Sequence, residues 1–401
     1  MLDFISDNLD FIKLYLPIGV IGAIRWFIWV EKKIVSLGYR PTQEKENNFC
    51  LSIVAAVYNE KPEIFERALD SWAFDLKKSD EIIAVIDHAD QTSIKVFKEF
   101  AKLEKRAKLI ITQKPGKRPA LVDGFKISTG DIVAFADSDT IWHENIRKAA
   151  LSPFLDPKVG GVATRQEVFK PSTLQGRLFN IQLSNRYFTE FPFLAKVGNA
   201  LTVLSGRTAF YRKEAIAEII DEMANEKFLG EPCISGEDKT LTRLIQSRGW
   251  KTRYMQNVTV MTPGAPNIMA FFKQQIRWSR NSWRSDILTL FGKWVWRREK
   301  ILAFYMIDRF LQPFFLLLGL IYFATAILLE HWLVATLLFA WWIISRTIKN
   351  FPHFRRNPSD IFIISAFVIF SYIAALIKIY ALFTIKRQGW ITRWDKARLA
   401  K

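Results

Sequence analysis

The sequence predicts an α/β domain with a mostly parallel sheet, inserted between membrane-crossing helices, and three observations carry that expectation. Short β-rich runs alternate with helical, charged stretches between about residues 45 and 265. An apolar window lies near the N-terminus, and longer apolar stretches fill the C-terminal third. The β-rich runs are 51–57 (LSIVAAV), 81–87 (EIIAVID), 108–112 (KLIIT) and 131–137 (DIVAFAD), and they alternate with 63–74, 93–106 and 118–128. That spacing is the one right-handed βαβ units require.

Leu14 to Val30 is apolar except for Arg25, and the window from Phe11 is about long enough to cross hydrocarbon. Asp3, Asp7 and Asp10 precede it, no small-residue cleavage site follows, and Glu31, Lys32 and Lys33 come directly after, so residues 1–33 are expected to be an anchor, not a cleaved signal. The basic flank puts residues 31 onward, and with them the domain at 45–265, in the cytoplasm. Arg and Trp crowd 268–300, as in amphipathic helices at a membrane surface. Within 301–385, Phe310–Leu329, Trp332–Ser345 and Ile361–Ile385 could each span. The basic loop Arg346–Asp360 and the basic tail at 386–401 both read as cytoplasmic, which three crossings do not permit. A cytoplasmic tail is expected, with one stretch, the short Trp332 segment being the candidate, re-entrant or interfacial.

With 401 residues, half of them hydrophobic and 14% aromatic, the chain is excluded from the disordered class. Its two cysteines, Cys50 and Cys233, exclude a disulfide framework and a four-thiolate zinc site, so a metal would be held by oxygen or by some of the four histidines. A reducing compartment fits. The net charge of +18 would suit nucleic acid, but the basic residues crowd beside the spans, so the expected partner is the bilayer and not nucleic acid.

Ligands of a parallel sheet sit at the carboxyl ends of its strands, where Tyr58-Asn59-Glu60, Asp87 and Asp137-Ser138-Asp139 fall. Strand alternation turns Asp137 and Asp139 to one face, where two hard oxygen ligands would suit Mg²⁺ or Mn²⁺ with a diphosphate; a surface turn is the plainer reading. Lys114 to Arg118 precede a helix, so Lys117 and Arg118 either meet phosphate or form a solvated face. Asp238, in Gly236-Glu237-Asp238 ahead of a short helix, is either a general base or an N-cap. Gln274 and Arg277 share a helix side; Arg277 suits a diphosphate, and Trp278 either stacks on a sugar or anchors at the interface. Arg25 either snorkels toward Lys32 and Lys33 or faces a polar channel, for which Asp308, Arg309 and Gln312 are the other intramembrane candidates.

Together with Gly116-Lys117-Arg118, Ser205-Gly206-Arg207 and Trp390-Ile391-Thr392-Arg393, these motifs stand in the order seen in membrane-integrated glycosyltransferase family 2 synthases. The chain resembles hyaluronan, chitin and cellulose synthases from about residue 14 to 394. The stretch from Asp137-Ser138-Asp139-Thr140-Ile141-Trp142 to Gly160–Gln166 is most similar to type 3 capsular polysaccharide synthases. The resemblance implies a GT-A fold, with Tyr58, Glu60, Asp87, Lys117, Arg118 and Asp137 around a UDP-sugar and Asp139 on Mg²⁺ or Mn²⁺. It implies Asp238 as base, and Ser205, Gly206, Gln274, Arg277 and Trp278 around diphosphate and acceptor. Two departures stand out: Gly-Glu-Asp where many relatives carry two aspartates, and Trp-Ile-Thr-Arg where they often carry Trp-Gly-Thr-Arg.

The expected function is that of an inverting, metal-dependent, processive enzyme of the cell membrane, its catalytic domain cytoplasmic. It would build a β-linked polysaccharide of hyaluronan, glucan or glucuronan type from UDP-sugar and pass it through its own bundle. The alternative is single-sugar transfer to a lipid, since ceramide glucosyltransferase resembles the same motifs; a fold kept without turnover is the third reading. Which sugar, which linkage and which oligomeric state are not legible.

Overall fold

The computed structural model describes residues 2–389, so the Trp390–Arg393 motif and the end of the basic tail lie outside the described residues. The strands are β1 (Leu51–Val57), β2 (Glu81–Asp87), β3 (Ala107–Thr112), β4 (Ile132–Asp137), β5 (Ile141–Trp142), β6 (Val159–Val168), β7 (Thr208–Arg212), a two-stranded hairpin of β8 (Lys227–Phe228) and β9 (Glu231–Pro232), and β10 (Lys251–Thr262). The eight-stranded sheet has the order β3-β2-β1-β4-β7-β6-β10-β5. The first four strands in that order are parallel, β7 is antiparallel to both its neighbours, and β6 and β10 are parallel to each other. Ala56 pairs with Asp137 and Asp87 with Thr112, which sets the carboxyl ends of these strands at one level.

β1 and β2 are apolar almost without interruption because helices cover both faces of the sheet. On one face lies the helix Pro62–Ala73, opened by a proline at its first position, with Phe65, Ala68, Leu69 and Trp72 on its inner side. Trp72 is fully buried and its Nε1 donates to the Thr140 carbonyl at 2.9 Å, which ties this helix to the loop just past Asp137. On the other face the helices Lys117–Ile127 and Leu174–Asn185 pack with residues of the interfacial helix Ile268–Leu290.

Three segments, Lys300–Leu328, Trp332–Phe354 and Pro358–Phe383, are long and apolar enough to cross a membrane. The 36-residue N-terminal helix Leu2–Leu37 joins them: Trp26 Nε1 donates to Ser345 Oγ at 3.2 Å and its ring lies 5.6 Å from that of Trp341. The helix Ile364–Phe383 runs alongside the interfacial helix. Phe370 meets Phe271 at 5.2 Å, and Trp283 Nε1 donates to the Lys378 carbonyl at 2.8 Å. Just before this helix Asp360 accepts from Arg177 at 2.6 Å, and just after it the Ile385 carbonyl accepts from Arg284 at 3.0 Å. Both flanks therefore lie against the sheet domain and its interfacial helix. The Trp332 stretch, the candidate for a re-entrant or interfacial segment, forms a 23-residue helix that is long and apolar enough to cross. Its added length is polar sequence after Ser345 that an apolar count leaves out.

Because Trp72 makes both the packing and the tie to the β4 loop, Trp72→Ala is expected to cost about 3–5 kcal/mol. Thermal unfolding of the full chain in detergent should fall by several degrees; an unchanged midpoint would show that this helix does not hold the loop.

Candidate active site

The site begins where the parallel strands end. Asp87 closes β2 and Asp137 closes β4, while Ser138 and Asp139 follow in the turn; all four line one cavity with Tyr58 and Glu60. Glu60 is buried and its Oε2 accepts from Ser138 Oγ at 3.1 Å, so the β1 and β4 loops hold each other. Lys117 opens the helix Lys117–Ile127, and its Nζ reaches Asp137 Oδ1 and Glu237 Oε1, each at 2.5 Å. Burial works against the ammonium charge, but the two carboxylates outweigh it and raise its pKa. Arg118, expected beside phosphate, is turned away from the cavity. Its guanidinium donates to the carbonyls of Met223 and Ser235, to Glu226 Oε2 and to Thr240 Oγ1. One helical step of about 100° separates it from Lys117.

Asp238 sits in the first turn of the helix Glu237–Ser247, entered through Gly236 at φ +85. A Cβ at Gly236 would come within 3.0 Å of the Asn281 side chain, so strain and space both demand glycine there. Asp238 Oδ2 accepts from the Gly206 N–H at 3.2 Å and Oδ1 from the Lys239 N–H at 2.8 Å. The two adjacent carboxylates are driven apart. Burial pushes Asp238 up and the neighbouring Glu237 charge adds to it. Burial also opposes the charge of Glu237, but Lys117 prevails and holds it down at about 2. Glu237 is thus a fixed anion, and Asp238 is the stronger base of the pair.

The interfacial helix supplies the opposite wall with Gln274, Arg277 and Trp278, and Ser205 and Gly206 join them. Trp278 packs on Phe179 at 5.4 Å, and the Arg207 guanidinium lies 5.2 Å from its ring centre, so the indole belongs to the cavity wall. Burial lowers the pKa of Arg277, partly offset by Glu237, Asp137 and Asp238. Arg207 and Glu237, quoted in motifs but given no role from sequence, both belong to the site. Their signal was position within Ser205-Gly206-Arg207 and Gly236-Glu237-Asp238.

The cavity, about 1400 Å³, does not stop at the sheet. It continues past Asp238 and Trp278 to Arg25, Trp26, Asp308, Arg309, Gln312 and Lys349. Arg25 neither snorkels alone nor stands free: its guanidinium donates to Asp308 Oδ1 at 2.6 Å, and Lys32 meets Asp308 Oδ2 at 2.7 Å. The four intramembrane residues singled out in the sequence, Arg25, Asp308, Arg309 and Gln312, all line this cavity.

Residues 50–281 match the family model described as Glycosyltransferase like family 2. The chain belongs to glycosyltransferase family 2. It is 26% identical over 404 residues to a hyaluronan synthase of Streptococcus pyogenes, covering 97% of this chain and 95% of that one. It is 30% identical to a type 2 glycosyltransferase of Pyricularia oryzae, over 72% of this chain but 63% of the fungal protein's length. A mannosyltransferase from Pyrobaculum calidifontis, solved in complex with GDP-Man and Mn²⁺, superposes with a TM-score of 0.61 at 16% identity, over 94% of this chain and 98% of its own. The fold is that of GT-A enzymes. This family 2 protein is therefore a glycosyltransferase, and its relatives and long apolar helices make it a membrane protein.

Among the described residues no group of three or more His, Cys, Asp or Glu side chains gathers to hold a metal. Asp137 and Asp139 supply two carboxylates at the cavity wall, a donor set that fits Mg²⁺ or Mn²⁺ if the diphosphate and water fill the other positions.

Burial, and after it the ionised Glu237, raises Asp238, so with Asp238 as base the acid limb of the pH–rate profile should lie above the ordinary aspartate value, with activity lost as pH falls through it. Glu237→Gln should move that limb to lower pH. A limb that stays in place would uncouple the two groups.

Proposed function

We propose that this family 2 glycosyltransferase is an inverting, metal-dependent, processive synthase that takes a UDP-sugar at the cytoplasmic face and extends a β-linked polysaccharide, which leaves through its own bundle. The observation that carries the reading is the continuity of one cavity from Asp87 and Asp137 past Asp238 into the helices around Arg25. A single-sugar transferase has no need of such a path.

In this reading Asp87, Asp137 and Tyr58 hold the nucleotide, and Lys117 and Arg277 face its diphosphate. A divalent cation bound at Asp139 would neutralise charge on the departing nucleotide. Asp238 takes the proton of the acceptor hydroxyl as that oxygen attacks the anomeric carbon, so the C–O bond forms as the bond to UDP breaks and configuration inverts. The arginine and lysine cations stabilise the leaving diphosphate. Gln274 and Trp278 register the acceptor, the indole suiting a sugar face.

The same packing supports a membrane topology. The N-terminal helix, the Lys300 helix and the Trp332 helix cross, and the Ile364 helix lies along the interfacial helix, which leaves the basic loop and the basic tail both on the cytoplasmic side. The parity conflict in the sequence is then resolved by the third apolar stretch and not the second.

Asp238→Asn keeps the shape and removes the base, so transfer should fall by about 10²- to 10⁴-fold with UDP affinity nearly unchanged. The assay supplies each radiolabelled UDP-sugar, alone and in pairs, to purified enzyme in lipid vesicles, and reads product size. High-molecular-mass product supports the synthase, whereas one or two sugars on a lipid overturn it. Chelation by excess EDTA should abolish transfer, and Mg²⁺ or Mn²⁺ should restore it; full activity in EDTA removes Asp139 from the reading.

A further inference from the structure

The residue after the base points to how the base is held. Lys239 is buried, and its Nζ stands 3.6 Å from Asp286 Oδ1 on the interfacial helix. That is too long for a charge-assisted hydrogen bond, and neither atom makes another hydrogen bond. The other oxygen of Asp286 takes the guanidinium of Arg309 on the Lys300 helix. The neighbour of Arg309, Asp308, holds Arg25 and Lys32 of the N-terminal helix. Charges of alternating sign thus run from the base to the membrane helices through Lys239, Asp286, Arg309, Asp308 and Arg25.

We propose that Lys239 and Asp286 are positioning residues that tie the first turn of the base helix to the membrane bundle, so that their ion pair fixes where Asp238 stands. This rests on Asp238 being the base.

The physical case is as follows. A buried ammonium and a buried carboxylate at 3.6 Å have lost their hydration without gaining a full hydrogen bond, so the first turn gains energy by moving a fraction of an ångström toward the interfacial helix. Asp238 is the adjacent residue of that turn and moves with it. Arg309 fixes Asp286 from the far side, which makes the interfacial helix the stationary partner. Lys239, with its pKa lowered to about 8 by burial against the pull of Asp286, has the weakest hold on its charge in this chain of groups outside the membrane segments.

The experiment uses the full chain in lipid vesicles and measures kcat, donor KM and UDP affinity. Lys239→Met keeps the stem and leaves the Asp286–Arg309 pair intact. Its kcat should fall about 10- to 100-fold, the scale of an ångström's misplacement, with donor KM and UDP affinity unchanged within about twofold. Lys239→Arg can span the gap and should restore most of the loss. Wild-type kcat in Lys239→Met, an equal loss of UDP affinity, or no recovery in a folded Lys239→Arg enzyme would overturn the proposal. If Lys239→Met does not accumulate as folded protein, Lys239→Arg alone decides: retained kcat supports the tie, and loss with normal folding refutes it. An active Asp238→Asn enzyme would refute the base assignment itself, whereas an inactive one beside an unaffected Lys239→Met refutes only the tie.

Discussion

The site is organised around one buried cation. Lys117 lies between Asp137, which ends a central strand, and Glu237, which enters the helix carrying Asp238 a hundred residues later. Taking an ammonium out of water costs several kcal/mol, and one carboxylate seldom repays that. Two do here, and the requirement fixes both loops relative to the helix that carries Lys117. The consequence passes to Asp238: Glu237 is committed to its anionic form, and Asp238, withdrawn from water and beside that fixed charge, becomes the more basic. Gly206 completes the arrangement. A Cβ there would stand 3.2 Å from both Lys117 Nζ and Glu237 Oε1, tight against the ion pair, while the Gly206 N–H reaches Asp238.

A second set of buried charges locates the membrane helices. Arg25 and Asp308 are each costly in hydrocarbon, and together with Lys32 they form a cluster in which every charge has an opposite at 2.7 Å or less. Arg309 and Asp286 repeat the pattern one residue and one helix away. Apolar helices in lipid gain little from burying one another, since the lipid is as apolar as they are. Such ion pairs therefore give the bundle its specific register against the sheet domain.

Much of this was legible in the sequence, for identifiable reasons. β1 and β2 were readable to the residue because strands covered on both faces are apolar throughout, and the polar residues that end them mark the ligand side. Asp137, Asp139 and Asp238 come together because strand ends and helix starts are where such a fold places polar groups, and Trp278 joins them from the middle of the interfacial helix. Arg118 was not legible: in sequence it is equivalent to Lys117, and only the helix phase sends one into the cavity and the other toward Glu226 and Thr240. The partner of Arg25 lies 283 residues away, a separation no local pattern encodes.

The departure at Glu237 now has a physical account. The resemblance implies aspartate there in many relatives, and glutamate carries one methylene more. In this chain that longer side chain reaches the Lys117 ammonium at 2.5 Å beside the Gly206 backbone, while Asp238 follows it in the helix. One carboxylate is thereby committed to the cation, and its charge, added to burial, leaves the second the more basic of the two.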